Sequence, residues 1–315
     1  MNAHHPEQQA AATPAPGIDA TDGSDAPLSK DAPAAGTDPA TPGTALAAFL
    51  ARAWKPKALV PFAKSWAIRL SALALGVVVW YWATAVKFKY FINFENVPSP
   101  VKVGAAFLQH IHSTTFYIHI GVSMQRIFIG YMSAVVLGIL LGLAIGRSKV
   151  ARDFISPYIE ILRPIPAVAW IPLAILMWPT EESSIIYITF LGALFPIILN
   201  TAHGAEQTPE VLVRAAKSLG ASRAEIFWHV VIPAALPSIT AGLAIGMGVS
   251  WFSLLAGEII SGQYGIGYFT WNAYSLINYQ DIVVGMLMIG GLGTLCTYAV
   301  RLATKPLLSW QRRSR

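Results

Sequence analysis

Charge is scarce in this 315-residue sequence: 12% of residues are Asp, Glu, Lys or Arg, against 55% hydrophobic ones. Soluble domains carry charge on nearer a quarter of their residues, so an ordinary water-soluble enzyme or binding domain is a poor fit. Cysteine is scarcer still. The single Cys296 lies inside an apolar run, where it can neither close an internal disulfide nor build a thiolate metal site alone. No Gly-Lys dipeptide occurs, which removes the phosphate-binding loop of an ATPase. No aromatic and basic RNA-reading signature is present, and the net charge of +6 sits beside apolar runs instead. His112, His119, His203 and His229 are scattered without ligand spacing, so no metal is expected.

What is present is hydrophobic length. Mean hydropathy is +0.53, and six apolar runs approach the 17 to 25 residues, roughly 30 Å, that a bilayer core demands. They are Leu70 to Val86, Ile127 to Gly146, Ile165 to Pro179, Ser184 to Ala202, Ile239 to Ala256 and Ile282 to Val300. The third is short and carries Pro166 and Pro172, so a kinked or partly unwound helix is expected there. The fold class is therefore all-α, a polytopic membrane protein with six transmembrane helices occupying residues 67–303.

Before them, residues 1–45 are rich in Ala, Pro, Gly, Thr and Asp, with no aromatic residue and only Lys30 to offset six acidic side chains. Such a segment cannot bury enough apolar surface to fold. It lacks the basic start and apolar middle of a cleaved leader. Residues 46–66 form a basic juxtamembrane segment, and 304–315 a basic C-terminal one.

Lys and Arg distribution orients the spans. Lys55, Lys57, Lys64 and Arg69 precede the first; Arg147, Lys149, Arg152 and Arg163 fill the second connection; Arg214, Lys217 and Arg223 the fourth; Arg301, Lys305 and Arg312 follow the last. All fall on one side, which predicts cytoplasmic termini; the exception is the first connection, with Lys87, Lys89, Lys102 and Arg126, which is long and therefore weighs less. Between the first two spans, Pro98-Ser99-Pro100 leads into an amphipathic stretch, Val101 to His110, expected to lie along the interface.

The fourth connection, 208–237, is too patterned for a plain loop. Thr208 is placed to cap a helix opening at Pro209, with Glu210 at its positive end. Leu212, Ala215, Ala216 and Leu219 recur at helical spacing to give one apolar face, while Arg214, Lys217 and Ser218 take the other. Gly220 supplies a left-handed stop. Ser222 and Glu225 are spaced as a capping box for a second helix, and Pro233 and Pro237 lead into the fifth span. Such a knob suits either an unpartnered interfacial hairpin or a docking element.

The run Arg214-Ala215-Ala216, then Gly220, Val230, Ile232 and Pro233, resembles the EAA loop of importer permeases in the ABC transporter superfamily. Further stretches are similar to the permeases for nitrate, taurine and aliphatic sulfonates. They are Ser123 and Arg126, Arg163 to Pro166 through Ala169 to Pro172, Phe195 to Thr201, and Trp251 to Glu258 followed by Gly265 to Tyr268. The likeness covers about Pro98 to Arg301. Two departures stand out: Arg214 replaces the family's usual glutamate, so that residue's salt bridge is not carried over, and Trp178-Pro179-Thr180 replaces a Trp-Phe-Gly.

The resemblance implies a type I importer-like permease of the bacterial inner membrane with a cytoplasmic coupling helix. It implies two ABC ATPase subunits that bind ATP and Mg, a second permease subunit in a homodimer, and a periplasmic solute-binding protein. This chain would hold no cofactor, carry out no catalysis and bind no nucleic acid. The coupling residues implied are Leu212, Arg214, Ala215, Ala216, Leu219, Gly220, Ser222, Glu225, Ile232 and Pro233. For the translocation path the candidates are Arg126, Asn200, Met247, Ser250, Trp251, Ser253 and Glu258. Arg126 is the candidate to meet a solute anion or else a topology-setting interfacial charge, and Glu258 is expected either at the outer vestibule or as a helix-end residue facing water. The competing class is an ion-coupled secondary transporter, which usually places ionisable groups within spans and shows repeated halves; neither is seen. An integral membrane enzyme would need a cluster of His or carboxylate residues that is also missing.

Overall fold

The computed structural model describes residues 59–87 and 94–308. The expected disordered tail, most of the basic juxtamembrane segment and residues 309–315 lie outside the described residues. The chain divides into two units, Met1–Ala67 and Ile68–Arg315. Only the beginning of one helix is described in the first.

Among the described residues every regular element is helical. In chain order they are α1 (Leu59–Ala85), α2 (Pro100–Ile111), α3 (Thr114–Arg147), α4 (Lys149–Leu162), α5 (Ile171–Met177), α6 (Glu181–Glu206), α7 (Glu210–Ser218), α8 (Arg223–Ile226), α9 (Ile232–Ser261), α10 (Ile266–Ser275) and α11 (Tyr279–Thr304). Five stretches are long and apolar enough to cross a membrane: Trp66–Ala85, Thr114–Arg147, Glu181–Glu206, Arg223–Ile260 and Tyr279–Leu308. Each contains one of the expected apolar runs but for a residue or so at its end.

The third run differs. It is a 3₁₀ turn over Ala167–Trp170 followed by the seven-residue α5. Together with α4 it forms a pair bent by 86°. Pro164 and Pro166 lie in the break, and neither has an N–H to continue the ladder of α4, although Arg163 before Pro164 keeps helical dihedrals.

α6 is the central helix, packed along α3 on one side and α9 on the other. Small residues permit the close approach. On α3, Ala134, Gly138, Gly142 and Gly146 recur every fourth residue, and a methyl group on Gly142 would lie 2.7 Å from the Ile198 carbonyl oxygen of α6. On the other side Gly242 meets Asn200, and Gly246 meets Ile197. Lipid is as apolar as Leu, so membrane helices associate through such packing and not by expelling water. The buried core runs down this three-helix layer, from Ile127 and Ile185 through Ile197 and Ile198 to Ala205 and Val231. A second cluster, built on Val103, Phe116 and Val284, packs α2 against α3 and α11; the His110 imidazole also reaches the Asp281 carboxylate at 2.8 Å. The outward faces of α1 and α3 carry Leu70, Leu73, Val136 and Leu140, all exposed, as a lipid-facing surface should.

Candidate docking segment and buried ion-pair cluster

α6 continues to Glu206, four residues beyond the expected end of its apolar run. Thr208 consequently does not cap α7. Its hydroxyl donates to the Ala205 carbonyl at 3.0 Å, satisfying an orphan acceptor at the end of α6 instead. α7 is flanked by Pro209 with no side-chain cap, and the first turn closes by the Leu212 N–H donating to the Pro209 carbonyl at 3.0 Å.

The end of α7 follows the expectation. Gly220 has φ +84°, the Ala221 N–H reaches the Ala216 carbonyl and the Gly220 N–H reaches the Lys217 carbonyl, both at 3.0 Å. This is a Schellman stop, which needs the left-handed conformation glycine adopts most easily. The capping box is complete: the Glu225 N–H donates to Ser222 Oγ at 3.3 Å and the Ser222 N–H to the Glu225 carboxylate at 2.7 Å. Between α8 and α9, Phe227–Val231 form a π-helical turn. Pro233 offers no N–H and its ring crowds the carbonyl four residues back, so the wider turn relieves that clash.

α7 uses its apolar residues on two faces. Val213 and Ala216 pack against the core. Val211, Leu212, Ala215 and Leu219 are exposed, Leu219 to 88%. The single face expected from spacing is thus divided, with Ala216 turned inward. Arg214 is exposed and bonds Glu210 one turn earlier at 3.3 Å. Ile232 and Pro233 are half-buried at the start of α9.

At the other end of α3 lies a buried polar cluster. On α3, Arg126 is about 32 Å and Ser123 about 36 Å from Arg147 along the helix, taking 1.5 Å per residue. Glu258, near the end of α9, is not at a water-facing vestibule: it is wholly buried. Its carboxylate accepts from Ser123 Oγ at 2.7 Å, Arg126 Nη1 at 3.0 Å and the Gly267 N–H at 2.9 Å. Arg126, 2% exposed, also donates from Nε to Glu182 at 2.8 Å, from Nη2 to the same carboxylate, and from Nη1 to the Tyr264 carbonyl at 2.6 Å. Ser123 Oγ accepts the Ile266 N–H at 2.9 Å, and His119 Nδ1 accepts the Gly265 N–H at 3.1 Å.

These side chains grip the backbone of residues 264–267, which lead into α10. Gly265 has φ +119°, and a side chain there would overlap the Glu258 carboxylate. A lone carboxylate in hydrocarbon costs roughly 3 kcal/mol; the guanidinium and two further donors, Ser123 Oγ and the Gly267 N–H, offset it. Arg126 and Glu258 were both readable as notable residues, but not as partners, since they stand 132 positions apart. Four of the five N–H groups of Arg126 are engaged by two carboxylates and a carbonyl, and its side chain is buried.

The remaining path candidates also face protein. Met247, Ser250, Trp251 and Ser253 are buried; Ser250 Oγ donates to the Thr189 carbonyl at 3.2 Å. Asn200 donates to the Pro196 carbonyl at 2.8 Å. The open face of α9 carries instead Ala241, Ile245, Gly248, Val249 and Phe252. Sequence reading passed over them because nothing polar marks that face; their recurrence every three to four residues was the available signal.

A family of binding-protein-dependent transport system inner membrane components matches residues 134–308. The taurine transport system permease of Escherichia coli K12 is 31% identical over 255 residues, covering 79% of this chain and 92% of that protein. A nitrate import permease of Synechocystis is 36% identical over 210 residues, 64% of this chain and 76% of that one. In three dimensions the inward-facing MetNI methionine ABC transporter aligns with a TM-score of 0.49 and 20% identity, over 60% of this chain and 94% of that one. The chain belongs to the family of binding-protein-dependent transport system inner membrane components, the multi-pass permease subunits of ABC importers, which work with an ATPase and a solute-binding protein.

Proposed function

We propose that this permease imports a small anionic solute of the nitrate or sulfonate kind, as a homodimer served by two ATPase subunits. The solute class rests on what the relatives named for taurine and nitrate carry. ATP and Mg belong to the ATPase, and this chain couples without catalysing. Both termini face the cytoplasm, placing the α7–α8 segment where an ATPase reaches it and the Arg126 cluster on the far side.

The observation that carries the coupling role is the exposed face of Val211, Leu212, Ala215 and Leu219 on α7, held rigid by the Gly220 stop and the Ser222 cap. An apolar residue such as Leu219, left in water, gains about 1.5–3 kcal/mol when a partner covers it. Arg214, Ile232 and Pro233 flank the contact. ATP-driven closure of the ATPase pair draws the two docking segments together, and the spans rock between inward-open and outward-open states. The solute path runs along the open face of α9, between the two permeases, with Met247, Ser250, Trp251, Ser253 and Asn200 supporting it from behind.

Co-purification tests this directly. The chain is expected to retain an ABC ATPase whose hydrolysis is vanadate-sensitive and rises with loaded binding protein. Solute transport by the purified chain without any ATPase would overturn the proposal.

A further inference from the structure

Two cavities meet at Arg147, the last residue of α3, and they differ in chemistry. One, of about 620 Å³, is an apolar groove between the end of α3, the π-helical turn and the start of α9. Leu140, Leu143, Phe227, Trp228, Leu236 and Leu243 line it, and Leu140 and Trp228 are more than half exposed, at 61% and 64%. Its two hydroxyls are already used: Thr240 donates to the Pro237 carbonyl, and Ser148 accepts the Ala151 N–H. Arg147 is the charged residue of the lining.

The second cavity, of about 490 Å³, lies between α7 and the α3–α4 connection. Its wall holds Arg147, Arg152, Arg214 and Lys217 against Glu206 and Glu210. Arg152 pairs with Glu206 at 2.8 Å and Arg214 with Glu210 at 3.3 Å. Both carboxylates are thereby taken, and among the described residues Arg147 and Lys217 make no ion pair.

Whatever fills this place must be apolar along most of its length and anionic at one end. We infer that an anionic phospholipid binds here, an acyl chain in the groove and its phosphate at Arg147, with Lys217 near the headgroup. A second copy of the chain would match the apolar walls but brings no complementary anion from this cationic face. Basic pockets between spanning helices at the cytoplasmic surface are suited to acidic headgroups, and each cation there adds about a fivefold preference for an anionic lipid. The inference rests on the docking proposal only for the leaflet, the cytoplasmic one. The lipid would tie the end of α3 to the wall beneath α7, next to the docking face.

The test uses the intact permease in detergent, without ATPase, so failure of the coupling proposal leaves it readable. Native mass spectrometry counts phosphatidylglycerol and phosphatidylcholine retained from an equal mixture. Wild type, with two cations at the headgroup, is expected to retain phosphatidylglycerol about 25-fold over phosphatidylcholine. Arg147→Gln should lower the preference about fivefold and Arg147→Gln with Lys217→Gln should abolish it, while Leu236→Trp, which fills the groove, should lower retention of both lipids. Brominated phosphatidylglycerol should quench wild type more than Trp228→Phe. Equal retention of the two lipids by wild type overturns the inference. So does displacement of the lipid by glycerol phosphate alone, which would mark a free-anion site. Unchanged lipid counts in Leu236→Trp, with Trp228 shielded from brominated lipid until residues 309–315 are removed or the dimer dissociates, would assign the groove to protein and overturn it equally.

Discussion

The two ends of α3 show opposite treatments of polarity. At one end, the buried Arg126, Glu258, Ser123 and His119 spend their hydrogen-bonding capacity on each other, on the exposed Glu182 and on residues 264–267. At the other, α7 leaves Leu219, Leu212 and Val211 uncovered and Arg147 unpaired among the described residues. A closed network specifies one arrangement and is expensive to disturb; an open face leaves surface for something outside the chain to cover. Damage to the first should therefore appear as lost stability and damage to the second as lost assembly.

The largest expected effect breaks the closed end. Arg126→Met leaves Glu258 buried without its cation and should cost roughly 3–5 kcal/mol, read as a loss of thermal stability in detergent. The double variant Arg126→Met with Glu258→Met should recover at least half of that, since no isolated charge remains. A double variant no better than the single one would show that the hydrogen bonds to the 264–267 backbone matter more than the ion pair.

Next comes the helix layer that joins the two ends. Gly142→Val drives a side chain into Thr201 and the Ile198 carbonyl, and overpacking of this kind costs about 1–3 kcal/mol. Gly142→Ala should fall between it and wild type. At the open end, Gly220→Val meets no neighbour but must hold φ +84°, a strain of about 1–2 kcal/mol. Its melting temperature should fall only slightly, whereas ATPase retention should fall at least tenfold. Smallest in stability is Leu219→Asp, within about 0.5 kcal/mol of wild type, again with the ATPase lost. A large melting shift for Leu219→Asp, or full ATPase retention, would erase the contrast between the ends.

Much of this contrast could be read from the chain alone, and the reasons for the misses are specific. Apolar length located the long spans because a bilayer imposes it segment by segment. The Gly220 stop and the Ser222–Glu225 box were legible because capping is local, closed within a few residues. Thr208 misled because helix end and helix start compete for the same hydroxyl, and α6 ran further than its apolar residues did. Glu258 misled for another reason: a carboxylate near a helix end looks solvent-bound until a partner 132 residues away is brought beside it. The division of α7 into an inward Ala216 and an outward Ala215 likewise depends on what lies beneath the helix.

α6 has one consequence of its own. It begins at Glu181, next to the carboxylate that clasps Arg126, and ends at Glu206, whose carboxylate holds Arg152 beside the docking segment. Glycine-tight seams bind it to a neighbour on each flank, so it has little room to shorten or buckle. Its 26 residues, with Pro196 among them, span about 39 Å, so the carboxylates that hold Arg126 and Arg152 hang on opposite ends of one helix.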